Sequence, residues 1–261
     1  MFFEKVINIG INKFDTSPRY GRSEELMGRY LSKKNTYVSS KIDNLSVNDF
    51  NSPKKMIDSV KNSLKRMNKD FLDICYLHQN EIEILSDPYI QEGIKELKSL
   101  NLIKKSGASV YTLEECDYCV NNDSYDCIQI PINIADTSFY ARFVKNQKIN
   151  KIFVGRSILL QGALIESNRK KKLFRYSNEL NNYLNKINYL YKKTGLSNIE
   201  FYLSFVFGLK EIDHFIIGST SIENIKNNIK CAEIKLDPQL INQLVDHGKE
   251  LKKWTNPRNW N

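Results

Sequence analysis

The chain has 261 residues, of which 41% are hydrophobic, and its 39 Lys and Arg outnumber 30 Asp and Glu, so the formal net charge is +9. This length and composition fit a single domain over residues 1–261. Because no long apolar run and no export signal occurs, we expect a cytoplasmic protein without a membrane partner. The lysines are scattered along the predicted helices and form no basic face interleaved with aromatic residues, so we expect no nucleic-acid partner.

Short segments rich in β-branched residues alternate with longer amphipathic segments, a pattern typical of βα units and a parallel sheet. The predicted strands are Lys13–Asp15, Thr36–Ser40, Phe71–Leu77, Ile103–Ser109, Cys127–Ile132, Lys151–Ser157 and His214–Gly218. The predicted helices are Ser23–Leu31, Pro53–Met67, Pro88–Leu100, Leu113–Asn121, Ser138–Asn146, Phe174–Lys193, Asn198–Phe207, Ile222–Cys231 and a last one from Pro238 to about Lys253. Such an alternation predicts a (β/α)8 barrel, which typically has roughly 250 residues.

The two ends of the chain depart from this repeat. Residues Met1–Asn12 are predicted to be the end of a helix, so the first barrel strand is missing. We therefore expect the strands at Lys13–Asp15 and His214–Gly218 to expose unpaired backbone groups. The chain would then be a poorly stable monomer, associate through this open seam, or close the seam with its tail Trp254–Asn261. The tail itself is expected to cover a pocket mouth or to pack against the barrel wall.

The cysteines and one basic segment have mainly structural interpretations. The five cysteines, an odd number, lie mostly in predicted helices or strands, which suits reduced thiols. Cys116 and Cys119 share one helical face, but no second pair and no nearby histidine completes a metal site, so we expect core packing and no metal. The segment Arg169–Arg175 is expected to be a solvated loop, with a flap over an anionic cofactor as the alternative.

Four chemically active residues stand where predicted strands run out. Asp15 and Tyr20 follow the first strand, Lys41 the second and His78 the third. Since strand ends meet at one face of a parallel barrel, the four can converge on one pocket. A lysine cation stabilises a nearby phenolate, and Asp15 would pair with that lysine and hold it. Each residue alone has a structural explanation, such as a helix cap or core packing, but together they predict a proton-transfer site.

These residues and their neighbours resemble the aldo-keto reductase family, whose members transfer a hydride between a nicotinamide nucleotide and a carbonyl or alcohol. The segments Phe14–Thr16 and Tyr20–Glu24 match the first signature of the family, and Lys41 and His78 match its other two catalytic residues. The resemblance implies that Tyr20 protonates the carbonyl oxygen in reduction, with Asp15 and Lys41 tuning it and His78 orienting or polarising the carbonyl. It also implies an N-terminal β-hairpin and first strand, which this sequence lacks.

The resemblance implies cofactor-binding residues as well. Ser109 and Gln129 match the two residues that hold the nicotinamide amide, although Val110 replaces the usual asparagine. The other matched positions are Arg156, Ser157, Leu159 and Gly162 for the nicotinamide and pyrophosphate, and Gly218, Ser219, Thr220, Asn224, Asn227 and Asn228 for the adenosine phosphate. An ordinary turn and helix cap would also explain the glycine, serine and threonine.

The cofactor itself is expected to be NADP or NAD, and it must bind without a Rossmann or P-loop motif, because neither occurs. Asn224 stands where many NADP-dependent members carry an arginine or glutamine, so we favour NADP only slightly. Lys226 or Lys230 would compensate for the lost cation.

Two functions follow from these observations. The first is an NAD(P)-dependent oxidoreductase acting on a small polar carbonyl or alcohol, with a sugar or sugar derivative suggested by the segments Asp15–Pro18 and Pro257–Trp260. The alternative is a truncated, catalytically impaired aldo-keto-reductase-like binding or interaction protein. Binding of NADPH or NADH would favour the enzyme.

Overall fold

The computed structural model describes residues 2–145, 149–165 and 176–260. The described chain forms two compact units. The first contains the residues up to Gln129 together with Asn150–Ile152, and the second contains the described residues of Ile130–Ile149 and those from Phe153 onward. The assignment of residues 1–261 to a single domain stays a prediction.

The seven predicted strands are confirmed, with ends that shift by a few residues. They are β1 Lys13–Asp15, β2 Tyr37–Ile42, β3 Leu72–Leu77, β4 Ile103–Ser109, β5 Cys127–Pro131, β6 Ile152–Arg156 and β7 His214–Phe215. They follow one another in the sheet in chain order. Within the first unit, β1 to β5 pair in parallel, with Lys41 opposite Tyr76 and Ser109 opposite Gln129. Among the described residues, no strand precedes β1.

The helices also follow the predicted pattern. The first unit contains α1 Phe2–Asn8, α2 Ser23–Leu31, α3 Ser52–Met67, α4 Ile82–Leu85, α5 Pro88–Ser99 and α6 Leu113–Val120. The second contains α7 Ser177–Lys192, α8 Asn198–Phe207, α9 Ile222–Lys230 and α10 Pro238–Gly248. The predicted helix Ser138–Asn146 is realised as a π-helical turn at Tyr140–Val144, and its last residue lies outside the described residues.

Local sequence explains where several helices begin. Asp87 caps α5 by accepting hydrogen bonds from the backbone N–H groups of Tyr89 and Ile90, and Pro88 occupies the first helical position. Capping boxes begin α6 at Thr112 and α8 at Ser197. These caps satisfy backbone donors that a helix leaves unpaired at its start.

Each unit has its own apolar core. In the first, the largest fully buried side chains include Tyr76, Leu72 and Leu77 of β3 and Met56 and Met67 of α3. In the second, Phe139, Phe201 and Phe205 are completely buried. Burial of one such side chain contributes about 1.5–3 kcal/mol. The buried strands therefore hold the residues at their carboxyl ends in fixed positions.

All five cysteines are buried thiols outside any disulfide, in line with the predicted core packing of Cys116 and Cys119. Burial raises the pKa of Cys75 and of Cys119 to about 12. Within the described ranges, no group of three or more His, Cys, Asp or Glu residues could hold a metal ion.

The described part of the tail packs within the second unit. Trp254 contacts the ring of Tyr183 of α7 edge-on at 6.1 Å between centroids, and Thr255 Oγ1 donates to Asp136 Oδ2 at 2.7 Å. Trp260 Nε1 donates to the carbonyl oxygen of Trp254 at 2.8 Å. The two expectations for the tail, a cover over a pocket mouth and packing against the barrel wall, both stay predictions. The basic segment Arg169–Arg175 lies outside the described residues.

No helix in the described part of the chain is both long and apolar enough to cross a membrane.

Candidate active site

An ion pair between Lys41 and Asp15 lies at the centre of the candidate site in the first unit. Lys41 Nζ is 2.6 Å from Asp15 Oδ2 and also donates to the carbonyl oxygen of Thr16 at 2.9 Å. The side chain of Lys41 is only 3% exposed and that of Asp15 is 14% exposed. The pair results from the register of β1 and β2, in which Asp15 lies opposite Ser39, two residues before Lys41 on the same face of β2.

Tyr20 and His78 lie next to this pair. Lys41 Nζ is 5.1 Å from the centroid of the Tyr20 ring, within the range of cation–π attraction. The ring of Tyr20 meets the imidazole of His78 edge-on, with 6.3 Å between centroids and 86° between planes. Tyr20 is 49% exposed and so can reach a ligand from solvent. The structure therefore brings together the four residues predicted to form the proton-transfer site.

The candidate amide-binding residues Gln129 and Ser109 are also brought together in this unit. Both are buried, and Ser109 at the end of β4 lies opposite Gln129 in the middle of β5. Gln129 Nε2 donates to Asp15 Oδ1 at 2.9 Å, and Ser39 Oγ donates to the same oxygen at 2.8 Å. Asp15 thus accepts hydrogen bonds from three side chains, which fixes both of its oxygens.

A second tyrosine, Tyr76, is buried in the first unit near this network. Burial is the main cause that raises its pKa well above the ordinary value, and the charge of Asp15 raises it further, whereas a hydrogen bond with Gln129 opposes the shift. Tyr76 therefore stays a neutral hydroxyl that supports Gln129. Gly107 makes room for it, because a Cβ at that position would stand 2.6 Å from the Tyr76 ring and 2.5 Å from the carbonyl oxygen of Cys127.

The residues around Ser23 and Glu24 stabilise the loop that carries Tyr20. Thr16 Oγ1 donates to Ser23 Oγ at 2.9 Å, and the buried Glu24 accepts a hydrogen bond from Ser40 Oγ at 2.6 Å. Arg66 of α3 neutralises Glu24 through contacts at 2.7 Å. This part of the signature is structural, since it ties the loop after β1 to β2 and α3.

Sequence reasoning missed two charged residues of the site, Asp43 and Arg19. Asp43 Oδ2 is 3.4 Å from His78 Nδ1 and contacts Arg19 Nε. One signal was available: Asp43 comes two residues after Lys41, the spacing that places strand side chains on one face. Arg19 directly precedes Tyr20, but nothing in the sequence indicates that its charge meets Asp43.

In the second unit, the candidate residues after β6 form an irregular turn. Arg156 Nη1 is 3.4 Å from Ser157 Oγ, and the backbone at Ser157 has φ of +58°. Gly162 has φ of +85°, a conformation that glycine adopts at little cost. Leu159 accepts the backbone N–H of Gly162 at 2.8 Å. All four candidates of this segment therefore lie in one tight turn.

The candidate residues after β7 lead into α9. The cap of this helix is Ser221, whose Oγ accepts the backbone N–H of Asn224 at 3.3 Å, and Ser219 Oγ accepts the backbone N–H of Ser221 at 3.1 Å. Gly218, Thr220, Asn224 and Asn227 are exposed, whereas Asn228 is buried. Sequence reasoning missed this cap because Ser219, Thr220 and Ser221 all carry hydroxyl groups. Only the backbone conformation shows that Ser221 is the cap.

A sequence profile of the aldo/keto reductase family matches residues 2–249. The chain therefore belongs to the aldo-keto reductase family, whose fold is the (β/α)8 barrel.

Individual relatives agree with this membership. The protein named D-arabinose 1-dehydrogenase from Saccharomyces cerevisiae is 30% identical over 195 residues, which cover 66% of this chain and 57% of that protein. The chain thus spans less than two thirds of the length of this relative. The aldo-keto reductase AKR11C1 from Bacillus halodurans has a TM-score of 0.75 and 18% identity, covering 98% of this chain and 88% of that chain.

A further solved structure is an aldo-keto reductase from Klebsiella pneumoniae in complex with NADP and acetate. Its TM-score is 0.68 at 20% identity, and the match covers 95% of this chain and 84% of that chain. At such identities, the two solved structures establish the fold alone.

Proposed function

We propose that this protein is an NAD(P)-dependent oxidoreductase that transfers a hydride between a nicotinamide cofactor and a small polar carbonyl or alcohol. The observation that carries the proposal is the buried pair of Lys41 and Asp15 beside the half-exposed Tyr20. A buried lysine held by a carboxylate adds nothing to apolar packing. Its cation does assist a tyrosine that must release and regain a proton.

The residues of the first unit have complementary roles in this proposal. Tyr20 donates its proton to the carbonyl oxygen in reduction and accepts one from the alcohol in oxidation. The cation of Lys41 stabilises the phenolate that remains, and Asp15 keeps that cation in place. His78, edge-on to Tyr20, donates a hydrogen bond to the same substrate oxygen and so orients the carbonyl.

The polar residues Ser109 of β4 and Gln129 of β5 fit the amide end of a nicotinamide. A carboxamide needs one donor and one acceptor, and Ser109 and Gln129 supply both kinds of group side by side. Gln129 is already hydrogen-bonded to Asp15 and to Tyr76, and its remaining hydrogen-bonding capacity is available to a ligand. When bound, the cofactor supplies or accepts the hydride.

The second unit has features that suit the remainder of a dinucleotide. The turn with Ser157, Leu159 and Gly162 directly follows Arg156, whose guanidinium suits pyrophosphate or ring stacking. The start of α9, capped by Ser221, favours an anion near Gly218, Ser219 and Thr220. Exposed Asn224 and Asn227 offer only neutral groups there, so we infer a weak preference for NADP over NAD.

We infer a sugar or sugar derivative as the substrate. The support is the similarity to the yeast protein named D-arabinose 1-dehydrogenase, at 30% identity over part of the chain. Charged groups around Tyr20, including Arg19 and Asp43, also suit a hydroxylated substrate better than an apolar one.

A combined binding and turnover experiment tests the proposal. The protein is titrated with NADPH and with NADH by fluorescence, and aldoses are supplied as substrates for oxidation and short aldehydes for reduction, followed by nicotinamide absorbance. We expect micromolar binding of at least one cofactor and turnover that is lost in Lys41→Met. The matched control is Lys55→Met, which removes an exposed lysine paired with Asp49. Failure to bind either cofactor would leave the non-catalytic binding protein as the better account.

A further inference from the structure

We propose that Asp43 is a positioning residue that holds the His78 imidazole by its Nδ1 atom and favours the doubly protonated ring, with Nε2–H directed at the substrate oxygen. The inference rests on the proposed reductase function. It adds a carboxylate and a countercharge to the four residues expected from the sequence.

The first step is the register at the ends of β2 and β3. The backbone N–H of His78 donates to the carbonyl oxygen of Ile42 at 2.9 Å, so the sheet pairing continues to the residue that carries the imidazole. Asp43 directly follows Ile42. The side chains of Asp43 and His78 are therefore brought together by backbone hydrogen bonds, which do not depend on any ligand.

The second step is the rigidity of the loop after β2. Gln79, the residue after His78, accepts the backbone N–H of Leu45 at 2.5 Å and donates to the carbonyl oxygen of Leu45 at 3.0 Å. These two hydrogen bonds join the residue after His78 to the loop that carries Asp43. The distance between Asp43 and His78 is consequently fixed by the fold.

The third step is the orientation of the carboxylate. Asp43 Oδ1 accepts the backbone N–H of Asn44 at 3.0 Å, and Asn44 adopts the left-handed conformation with φ of +59°. The other oxygen, Oδ2, is buried and lies 3.4 Å from His78 Nδ1. A carboxylate so placed is a charged acceptor for an Nδ1–H group and stabilises positive charge on the ring.

The charges that face His78 come from three segments. Asp43 contributes a negative charge from the loop after β2, and Arg19 contributes a positive charge from the loop after β1, next to Tyr20. Lys41 adds a second positive charge from β2, but Asp15 balances it. The side chain of Arg19 is 61% exposed, so solvent screens its charge more than that of Asp43, which is 7% exposed. Arg19 Nε contacts the same oxygen and balances part of its charge, but because this cation is exposed we infer that the carboxylate remains the dominant charge at the imidazole.

The consequence for catalysis concerns the proton on Nε2. In this proposal Nδ1 carries a proton that faces Asp43, so a neutral ring has only an acceptor at Nε2, whereas the doubly protonated ring has a donor there. A donor is what a carbonyl oxygen requires during reduction. Asp43 thus raises the fraction of protein in the reductive form and extends that form to higher pH.

The test compares Asp43→Asn with Asp49→Asn. Asp49 is a matched control, because its carboxylate also accepts a backbone N–H, from Asn51, and pairs with a cation, Lys55, instead of facing His78. We expect Asp43→Asn to lower kcat for carbonyl reduction about 10–100-fold, the range found when a carboxylate that orients a histidine is lost. The alkaline limit of the pH–rate profile should move to lower pH, while cofactor affinity and thermal stability stay near those of the control.

A second readout does not need turnover. The chain has three histidines, so the ring nitrogens of His78 can be assigned by ¹H–¹⁵N NMR with His78→Gln as the reference. We expect Nδ1 of His78 to be protonated at neutral pH and the ring to lose its second proton at lower pH in Asp43→Asn. An unchanged titration in Asp43→Asn would overturn the inference even if the wild type turns over. If the titration shifts in Asp43→Asn but the protein shows no turnover, the contact between Asp43 and His78 is supported and the proposed reductase activity is refuted.

Discussion

The side chains around Tyr20 determine what its hydroxyl can do. Lys41 Nζ lies 5.1 Å from the centroid of the Tyr20 ring, and the centroid of the His78 ring lies 6.3 Å from it. The phenol itself is half exposed to solvent. The cation would be costly to bury without Asp15, which accepts its hydrogen bond at 2.6 Å. The proton-transfer role proposed for Tyr20 is therefore a property of the group and not of the tyrosine alone.

Replacement of Tyr20 by Phe tests this role directly. The change removes one proton donor and little volume at an exposed position, so we expect carbonyl reduction to fall about 10²–10⁴-fold, the typical contribution of general acid catalysis. Cofactor affinity and the midpoint of thermal unfolding should stay unchanged. Tyr37→Phe is the control, because Tyr37 is similarly exposed, at 51%, and lies at the start of β2. Near-normal turnover in Tyr20→Phe would remove Tyr20 from the mechanism.

Asn224 provides the residue-scale test of the cofactor assignment. It is exposed in the first turn of α9, where a cation would meet a 2′-phosphate if the adenosine binds there. We expect Asn224→Arg to tighten NADPH selectively over NADH by adding a charge-assisted hydrogen bond. Asn182→Arg, on the exposed face of α7, adds the same charge elsewhere in the second unit. Equal tightening of both cofactors in fluorescence titrations would contradict this location.

At the scale of the elements, a buried carboxylate joins the tail to the loop after β5. Asp136 is 2% exposed and accepts hydrogen bonds from Ser138 Oγ at 2.6 Å and Thr255 Oγ1 at 2.7 Å. Burial is the main cause that raises its pKa above the ordinary value, although these hydrogen bonds oppose the shift. The net effect is that the buried carboxyl costs the folded state less when Asp136 is protonated.

This raised pKa predicts a specific dependence of stability on pH. The folded form binds a proton that the unfolded form has already released, so the contribution of Asp136 is fully present below its ordinary value of about 3.9 and is lost as pH rises through the folded value. We expect the free energy of unfolding of Asp136→Asn, relative to the wild type, to increase from acid to neutral pH in urea titrations. Asp246→Asn, an exposed carboxylate of α10, should show no such trend. If the difference in free energy of unfolding between Asp136→Asn and the wild type does not change with pH, the raised pKa of Asp136 is contradicted.

At the scale of the whole molecule, the two compact units carry different parts of the proposed function. The first holds the ion pair, Tyr20, His78 and the residues expected to bind the amide. The second holds the turn after β6 and the start of α9, which suit phosphates. Both belong to one family match that extends over residues 2–249.

The burial of all five cysteines gives a prediction for the molecule as a whole. Because thiolates are the reactive species and burial raises the pKa of Cys75 and Cys119 to about 12, the native protein should react slowly with a thiol reagent such as DTNB. All five thiols should react in guanidinium chloride. Ser99→Cys, on the exposed end of α5, should add one fast thiol to the native protein. A fast native thiol in the unsubstituted chain would mean that one of the five is accessible.

The strands and most helices could be predicted from the sequence because their signals are local. Apolar alternation, caps such as Asp87 and Thr112, and prolines at helix starts act over a few residues. The short helix α4 was missed, since a single turn has too few residues to show a period. The segment around Tyr140–Val144 was predicted as a helix, but its π-helical form was not.

The sequence by itself also pointed to the four residues of the candidate proton-transfer site, because Asp15, Lys41 and His78 stand at or next to the ends of recognisable strands and Tyr20 lies in the loop after the first. Only the tertiary structure decided that Gln129 donates to Asp15, 114 residues away, and that Asp43 lies against His78 and Arg19. Such contacts depend on the register between strands and on the orientation of carboxylates. Neither leaves a periodic signal in the chain, because the residues involved meet only after the sheet has formed.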